Sequence, residues 1–268
     1  MSRSRFSPGS LVGLILGGLI VSSGFISAEP TPSGSEGTGR VLRGHPPMPE
    51  ILWFKPYYQD AVFVSSERLF LESGVVDRSL LQEGWAFAIE RFMERTEEDG
   101  CVRVNSADDY FDSPPADVRD LESALGQSDT VLRGVVSGTL PGFSFSRPGT
   151  LVRITTTEAL KGQAPGEDRL IFFPLGVFEA QGKQICVENS SWPDLPDLGD
   201  QVVLWYRSDA NYAQGPSLVL GPYSLAIFRR TNALSLASLI EKADSELQSL
   251  SLENFLARVE SLVHEEGE

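Results

Sequence analysis

Between Ser128 and Arg207 the chain alternates short apolar runs with polar breaks. Asp129–Ser137, Thr150–Thr157, Arg169–Phe173, Lys183–Val187 and Leu198–Tyr206 are rich in β-branched and aromatic residues and bounded by Gly, Pro, Asp or Asn. That is the pattern of strands. No helical periodicity longer than a turn or two lies between them, so they predict a small closed or half-closed sheet. Ser217–Leu220 and Tyr223–Phe228, separated by Gly221-Pro222, extend it. The predicted β-barrel spans residues 128–230.

The flanks have a different period. Ahead of the barrel, Ile51–Phe54, Ala61–Val64 and Arg68–Leu71 read as strands. Ser79–Glu97 reads as a helix, because Leu81, Trp85, Ile89 and Phe92 fall at spacings of four, four and three. Ser79 with Gln82 three residues later fits a capping box. Ala116–Gln127 predicts a short helix carrying Val118, Leu121 and Leu125 on one side. Residues 50–127 thus form an N-terminal α+β segment. Behind the barrel, Leu234–Leu250 and Ser251–His264 read as helices. The second bears a stripe of Leu252, Phe255, Leu256, Val259, Leu262 and Val263, capped by Ser251 and expected to dock on its own domain. Residues 231–268 make a C-terminal helical segment, and the predicted fold class is α+β.

Residues 1–28 have the form of a secretory signal peptide. Arg3 and Arg5 precede the apolar run Leu11–Val21, and Ile26-Ser27-Ala28 offers a small-residue cleavage site. The competing reading is an uncleaved anchor over Leu11–Ala28, which contains no charge. Residues 29–49, rich in Pro, Gly and Ser, read as a disordered linker. The expected location is secreted or periplasmic, or the membrane if residues 11–28 stay attached.

Charge narrows the partners. The chain carries a formal net charge of −15, and loss of residues 1–28 would remove two basic residues and no acids. Such a surface repels phosphates and anionic lipid, so nucleic acid is not an expected partner. The two cysteines, Cys101 and Cys186, each lie in a strand-like run. In an oxidising compartment two cysteines most simply form a disulfide, worth about 4–5 kcal/mol on the chain-entropy account. The other reading is a pair of buried thiols.

At the strand cluster a resemblance emerges. A leucine-bearing helix runs into Ser128-Asp129, a strand ends Arg133-Gly134-Val135-Val136-Ser137, and a second strand leads to Glu158-Ala159-Leu160-Lys161-Gly162. Later Leu198-Gly199-Asp200 precedes Val202-Val203-Leu204. Residues 120–230 resemble the OB-like barrel of tissue-inhibitor-of-metalloproteinase and netrin-type modules, as in exported bacterial proteins. The inhibitors chelate zinc through an N-terminal cysteine. The chain after Ala28 begins with Glu29, so the resemblance implies fold and no activity.

Motif chemistry is sparse. The two histidines, His45 and His264, fall in the linker and near the C-terminus, away from any predicted core. A Ser-His-Asp triad or an ordinary zinc site therefore lacks its histidines. No nucleophile elbow, Walker loop or dinucleotide fingerprint occurs, and no cofactor is expected. Two acidic groups have the oxygen-rich character of calcium ligands, Asn105 with Asp108, Asp109 and Asp112, and Asp194 with Asp197 and Asp200. Neither follows the helix–loop–helix pattern. Asn189-Ser190-Ser191 is a glycosylation sequon. Aromatic residues at predicted loop or strand ends form a candidate ligand face: Trp53, Tyr57, Tyr58, Phe143, Phe145 and Trp192. The expectation is an exported, non-enzymatic protein that binds an extracellular or envelope partner. The alternatives are a carboxylate-dependent hydrolase and a membrane-tethered structural protein.

Overall fold

Two long antiparallel strands, β5 (Thr130–Ser144) and β6 (Arg147–Lys161), run beside one another over their full length. Every other part of the main sheet is attached to this pair. The computed structural model describes residues 40–53, 62–81, 83–95, 99–103, 118–144, 147–162, 168–189, 191–207, 217–218, 222–231 and 233–265. Residues from Ser35 to Glu268 pack as one compact unit.

On the β6 side the sheet continues into β7 (Arg169–Phe173), and then β11 (Ser217–Leu218) pairs parallel with β7. On the other side β5 pairs with β10 (Gln201–Tyr206), which pairs with β12 (Leu225–Phe228), and β12 with β13 (Leu234–Ser235). The far half of β5 takes different partners. There it pairs with β1 (Arg40–Val41) and with β3 (Val62–Ser65), which in turn holds β2 (Ile51–Trp53). A second sheet has the order β4 (Asp99–Arg103), β9 (Lys183–Glu188), β8 (Gly176–Ala180). The fold is mixed α+β with mainly antiparallel sheets.

The register of β5 against β6 shifts three times, between Val131 and Leu132, Arg133 and Gly134, and Val136 and Gly138. Such bulges bend and twist a strand, which lets β5 serve one set of partners with its first half and another with its second. Gly142 marks the crossing with β3. A Cβ there would lie 2.6 Å from Phe63 Cζ and closer still to the Val64 carbonyl.

Side chains divide between two cores with period two, as strand geometry requires. Val203, Trp205, Ala226 and Phe228 face one core. Val202, Leu204, Tyr206, Leu225 and Ile227 face the other. Three helices cover the first core: α3 (Leu121–Gly126), α4 (Ser238–Ala243) and α5 (Leu252–Glu265). Leu121, Ile240, Phe255 and Val259 are buried there, and Phe228 meets Phe255 edge-on at 5.1 Å between centroids. The terminal helix thus docks on its own sheet, as its stripe predicts.

Several boundaries differ from the sequence reading, each for a local reason. Arg68–Leu71 is not a strand. Ser65 Oγ accepts the Arg68 N–H and starts a short helix, α1 (Ser66–Leu69). The helix α2 spans Glu83–Arg95, and Ser79 does not cap it. Asp77 Oδ1 takes both the Ser79 hydroxyl and its N–H, which holds the Asp77 carboxyl below the usual range. Gln82 lies outside the described residues. Of the predicted helix Ala116–Gln127, residues 118–120 are not helical and Leu121–Gly126 is, capped by Asp120 in a reciprocal box with Ser123; residues 116–117 lie outside the described residues. Leu234–Leu250 is broken into β13, α4 and a 3₁₀ turn at Leu247–Ser249.

The predicted linker is ordered from residue 40 onward. Arg40–Val41 pairs with β5, and Met48 is buried with Phe63, Leu140 and Leu151. Arg153, on β6, donates to the Pro46 and Pro47 carbonyls. Proline composition suggested a free chain, but here the prolines' carbonyls serve as acceptors for a buried guanidinium. The signal segment 1–28 and residues 29–39 lie outside the described residues. No helix among the described residues is long and apolar enough to cross a membrane.

Candidate functional site

The loop between β9 and β10 is built by its own side chains. Asn189 Oδ1 accepts the Ser191 N–H, and the Asn189 carbonyl accepts the Trp192 N–H. This turn drops Trp192 against Phe173, with ring centroids 5.3 Å apart at 56°. The same bonding buries Asn189 to 4 % exposure. The sequon asparagine is therefore part of the fold and not a presented glycan acceptor.

Further along, Asp200 is 2 % exposed and accepts N–H groups from Asp197 and Arg230. Arg229, directly after β12, lies 3.1 Å from Asp200, 3.4 Å from Asp197 and 3.7 Å from Asp194. One guanidinium thus gathers the acidic triplet that had suggested calcium. No cluster of metal-ligating side chains is found among the described residues. The other acidic group, Asn105 to Asp112, lies outside them.

Trp192, Arg229, Asp194, Ser235 and Glu241, with Pro193 and Leu236, line a recess of about 300 Å³. Four elements position these groups. The loop after β9 supplies Trp192 and Asp194, the turn after β12 supplies Arg229, β13 supplies Ser235, and α4 supplies Glu241. Ser235 Oγ accepts the Asp194 N–H, and Glu241 Oε1 accepts the Leu236 N–H. The Ser235 and Glu241 side chains are thus fixed to backbone, and they stand beside Trp192 in a recess more polar than most ligand pockets. A second groove of about 400 Å³ lies between α1 and the β8–β9 hairpin, lined by Phe70, Leu71, Glu67, Glu72, Glu179 and Gln181.

The predicted aromatic face is not assembled as one surface by the described residues. Phe143 stands at the end of β5 as predicted, but it is 1 % exposed and packs against Phe70 and Phe92. Trp192 is largely buried but lines the recess. Tyr57, Tyr58, Phe145 and the Trp53 side chain lie outside the described residues. Cys101 and Cys186 are register partners on the parallel strands β4 and β9. The sequence reading missed Arg229, Ser235 and Glu241. Their one available signal was an Arg-Arg doublet closing a strand in an acidic chain.

The histidine placed in the linker also has company. His45 Nδ1 stands 3.9 Å from Asp168 Oδ2, while Asp168 Oδ1 accepts from Thr155 and Thr155 Oγ1 lies 2.8 Å from Ser137 Oγ. Thr155 stands in line between serine and carboxylate, and the histidine reaches only the carboxylate. A hydrolytic triad needs its base on the nucleophile, so this order does not build one. No family model, characterised protein or solved structure matches the chain.

Proposed function

We propose that this chain is an exported, non-enzymatic binding protein on an OB-like barrel, and that it engages its partner at the Trp192 recess. Strand order supports the barrel. β5, β6 and β7 form a meander, β11 runs parallel to β7, and β12, the next strand in the chain, pairs through β10 back to β5. The path runs open from β11 to β13, an order compatible with a partly open Greek-key barrel. The charge-free run Leu11–Ala28 behind Arg3 and Arg5 supports export.

The observation that carries the function is the recess itself. Polar groups from four elements, two of them (Ser235 and Glu241) anchored to backbone, meet an aromatic residue that sequence alone had singled out. The hydrolase alternative has less support. A general-acid carboxyl depends on apolar burial, whereas Asp194 is 80 % exposed and faces Arg229.

The test is a screen of small fragments and short peptides against isotope-labelled protein, read by amide chemical shifts. Perturbations should cluster at residues 191–195 and 233–241. Clustering on another face would overturn the recess as the site. Turnover of chromogenic glycoside, ester or peptide substrates would overturn the non-enzymatic reading.

A further inference from the structure

We infer that the groove between α1 and the β8–β9 hairpin takes an extended, basic segment of a partner protein, which adds to β8 as a further strand. This surface is separate from the Trp192 recess and independent of it. β8 ends the order of the second sheet and is paired on one side only, with β9. Gln181 and Gly182, both at positive φ, form the two-residue turn between the strands, so Ala180 and Lys183 are a hydrogen-bonded pair. Counting back from that pair, Val177 turns its N–H and C=O away from β9. No backbone partner for them occurs among the described residues, and the Val177 side chain is 62 % exposed. An open edge of this kind is a template for an added strand.

The groove, of about 400 Å³, lies beside the same strand. Phe70 and Leu71 line its α1 side. The bridge between Phe70 and Val76 sets Leu71 opposite Val75, and these two side chains stand half exposed on one face. Gln181 Nε2 donates to the Gly74 carbonyl and ties this turn to the hairpin tip. Four large apolar side chains are left exposed among the described residues, and three of them, Leu71, Val75 and Val177, stand on the elements that wall this groove. That grouping marks an interaction surface, where single scattered residues would not.

Charge selects the occupant. Glu67, Glu72 and Glu179 line the groove, and no lysine or arginine does. The formal charge of −15 on the whole chain acts in the same sense at longer range. An added strand presents alternate side chains to opposite faces. One set meets Phe70 and Leu71, and the other lies beside Val177 and Glu179 on the exposed face. Alternating apolar and basic residues suit both.

Three peptides are titrated into the isotope-labelled full chain: Val-Lys-Val-Lys-Val, the same peptide with glutamate for lysine, and the lysine peptide N-methylated at alternate amides. The first should shift the amides of residues 71–75 and 177–182, with binding that weakens as salt rises. The other two should bind about tenfold more weakly or worse. Val177→Pro removes the outward N–H and no bond to β9, while Glu67→Gln with Glu72→Gln removes charge from two exposed side chains. Each change should weaken the lysine peptide about tenfold and leave the amide map elsewhere intact. Equal binding of the glutamate peptide or of the methylated one overturns the inference, whether or not Val177→Pro folds. Shifts confined to residues 191–195 and 233–241 overturn it and leave the recess reading standing, and shifts on another edge, or none, overturn it too. If the same amides shift as the protein alone is concentrated, the edge belongs to a second copy of this chain and the basic partner is excluded.

Discussion

Nε of Arg153 lies 3.6 Å from Oδ2 of Asp168, with the arginine side chain 5 % exposed and the aspartate 31 %. The same guanidinium donates to the carbonyls of Pro46 and Pro47. A charge this deep is tolerable only because every face of it meets an acceptor. Arg153→Met should therefore release residues 40–48 from the sheet and leave Asp168 less compensated. The expected cost is about 2–4 kcal/mol, read by urea unfolding. Amide exchange at Val41 and Leu42 should rise more than in β10. Equal protection in both proteins would show that the arginine does not hold this segment.

At Gly142 the constraint is steric. A methyl group there has no room between the Phe63 ring and the Val64 carbonyl, and the crowding atoms include backbone. Gly142→Ala should cost about 1–3 kcal/mol as an overpacked site and separate β3 from β5. A stability change under 0.5 kcal/mol, well inside the range for ordinary surface changes, would contradict this.

Tyr206 supplies a pH dependence. Burial raises its pKa above the ordinary value of 10, and the neighbouring Arg169 only partly offsets that. The folded state therefore keeps the phenol proton at pH values where the unfolded chain has released it. The contribution is intact below about pH 10 and lost as pH climbs from there through the folded value. Tyr206→Phe should flatten the alkaline limb of stability between pH 9 and 11, even if its stability at neutral pH is lower. Parallel limbs for the two proteins would rule the effect out.

The cysteines give a prediction about covalent state. Register places Cys101 opposite Cys186 on adjacent strands, and neighbouring Cα atoms in a sheet lie within bonding reach for a disulfide. The protein purified under oxidising conditions should have no titratable thiol, and its mass should rise by two hydrogen atoms on reduction by a dithiol. Reduction should lower stability by up to about 4–5 kcal/mol on the chain-entropy account. Two thiols in the unfolded, unreduced protein would exclude the bond.

The sequence made the repeating parts visible and hid the joins. Val202 to Tyr206 and Leu225 to Phe228 alternate between two cores, and their apolar runs announce strands from composition alone. The continuation of β5 through Gly138–Ser144 was hidden, because Gly138-Thr139-Leu140-Pro141-Gly142 has much of the composition of a turn. Pairing with β6 on one side, and with β1 and β3, about 80 to 100 residues earlier in the chain, on the other, makes that stretch a strand. The segment 40–48 was misread for the same reason. Its order comes from Arg153 on a distant strand, and no local pattern records that. At the recess, Trp192 was noticed as an aromatic beside Pro193, but its burial depends on the Asn189 turn and on Phe173. Arg229 gave no sign of its three acids, which lie 29 to 35 positions earlier in the chain.

Because β5 zips to strands from both before and after it, the front of this molecule has no life apart from the rest. A truncated protein starting at Ser128 would keep residues 138–144 paired to β6 but leave their other edge open, with the Phe143 ring and a row of unsatisfied amides turned to water. Such an end invites another chain to lie along it. Clipping the flank away should thus yield sticky, self-associating material where a tidy barrel might have been hoped for.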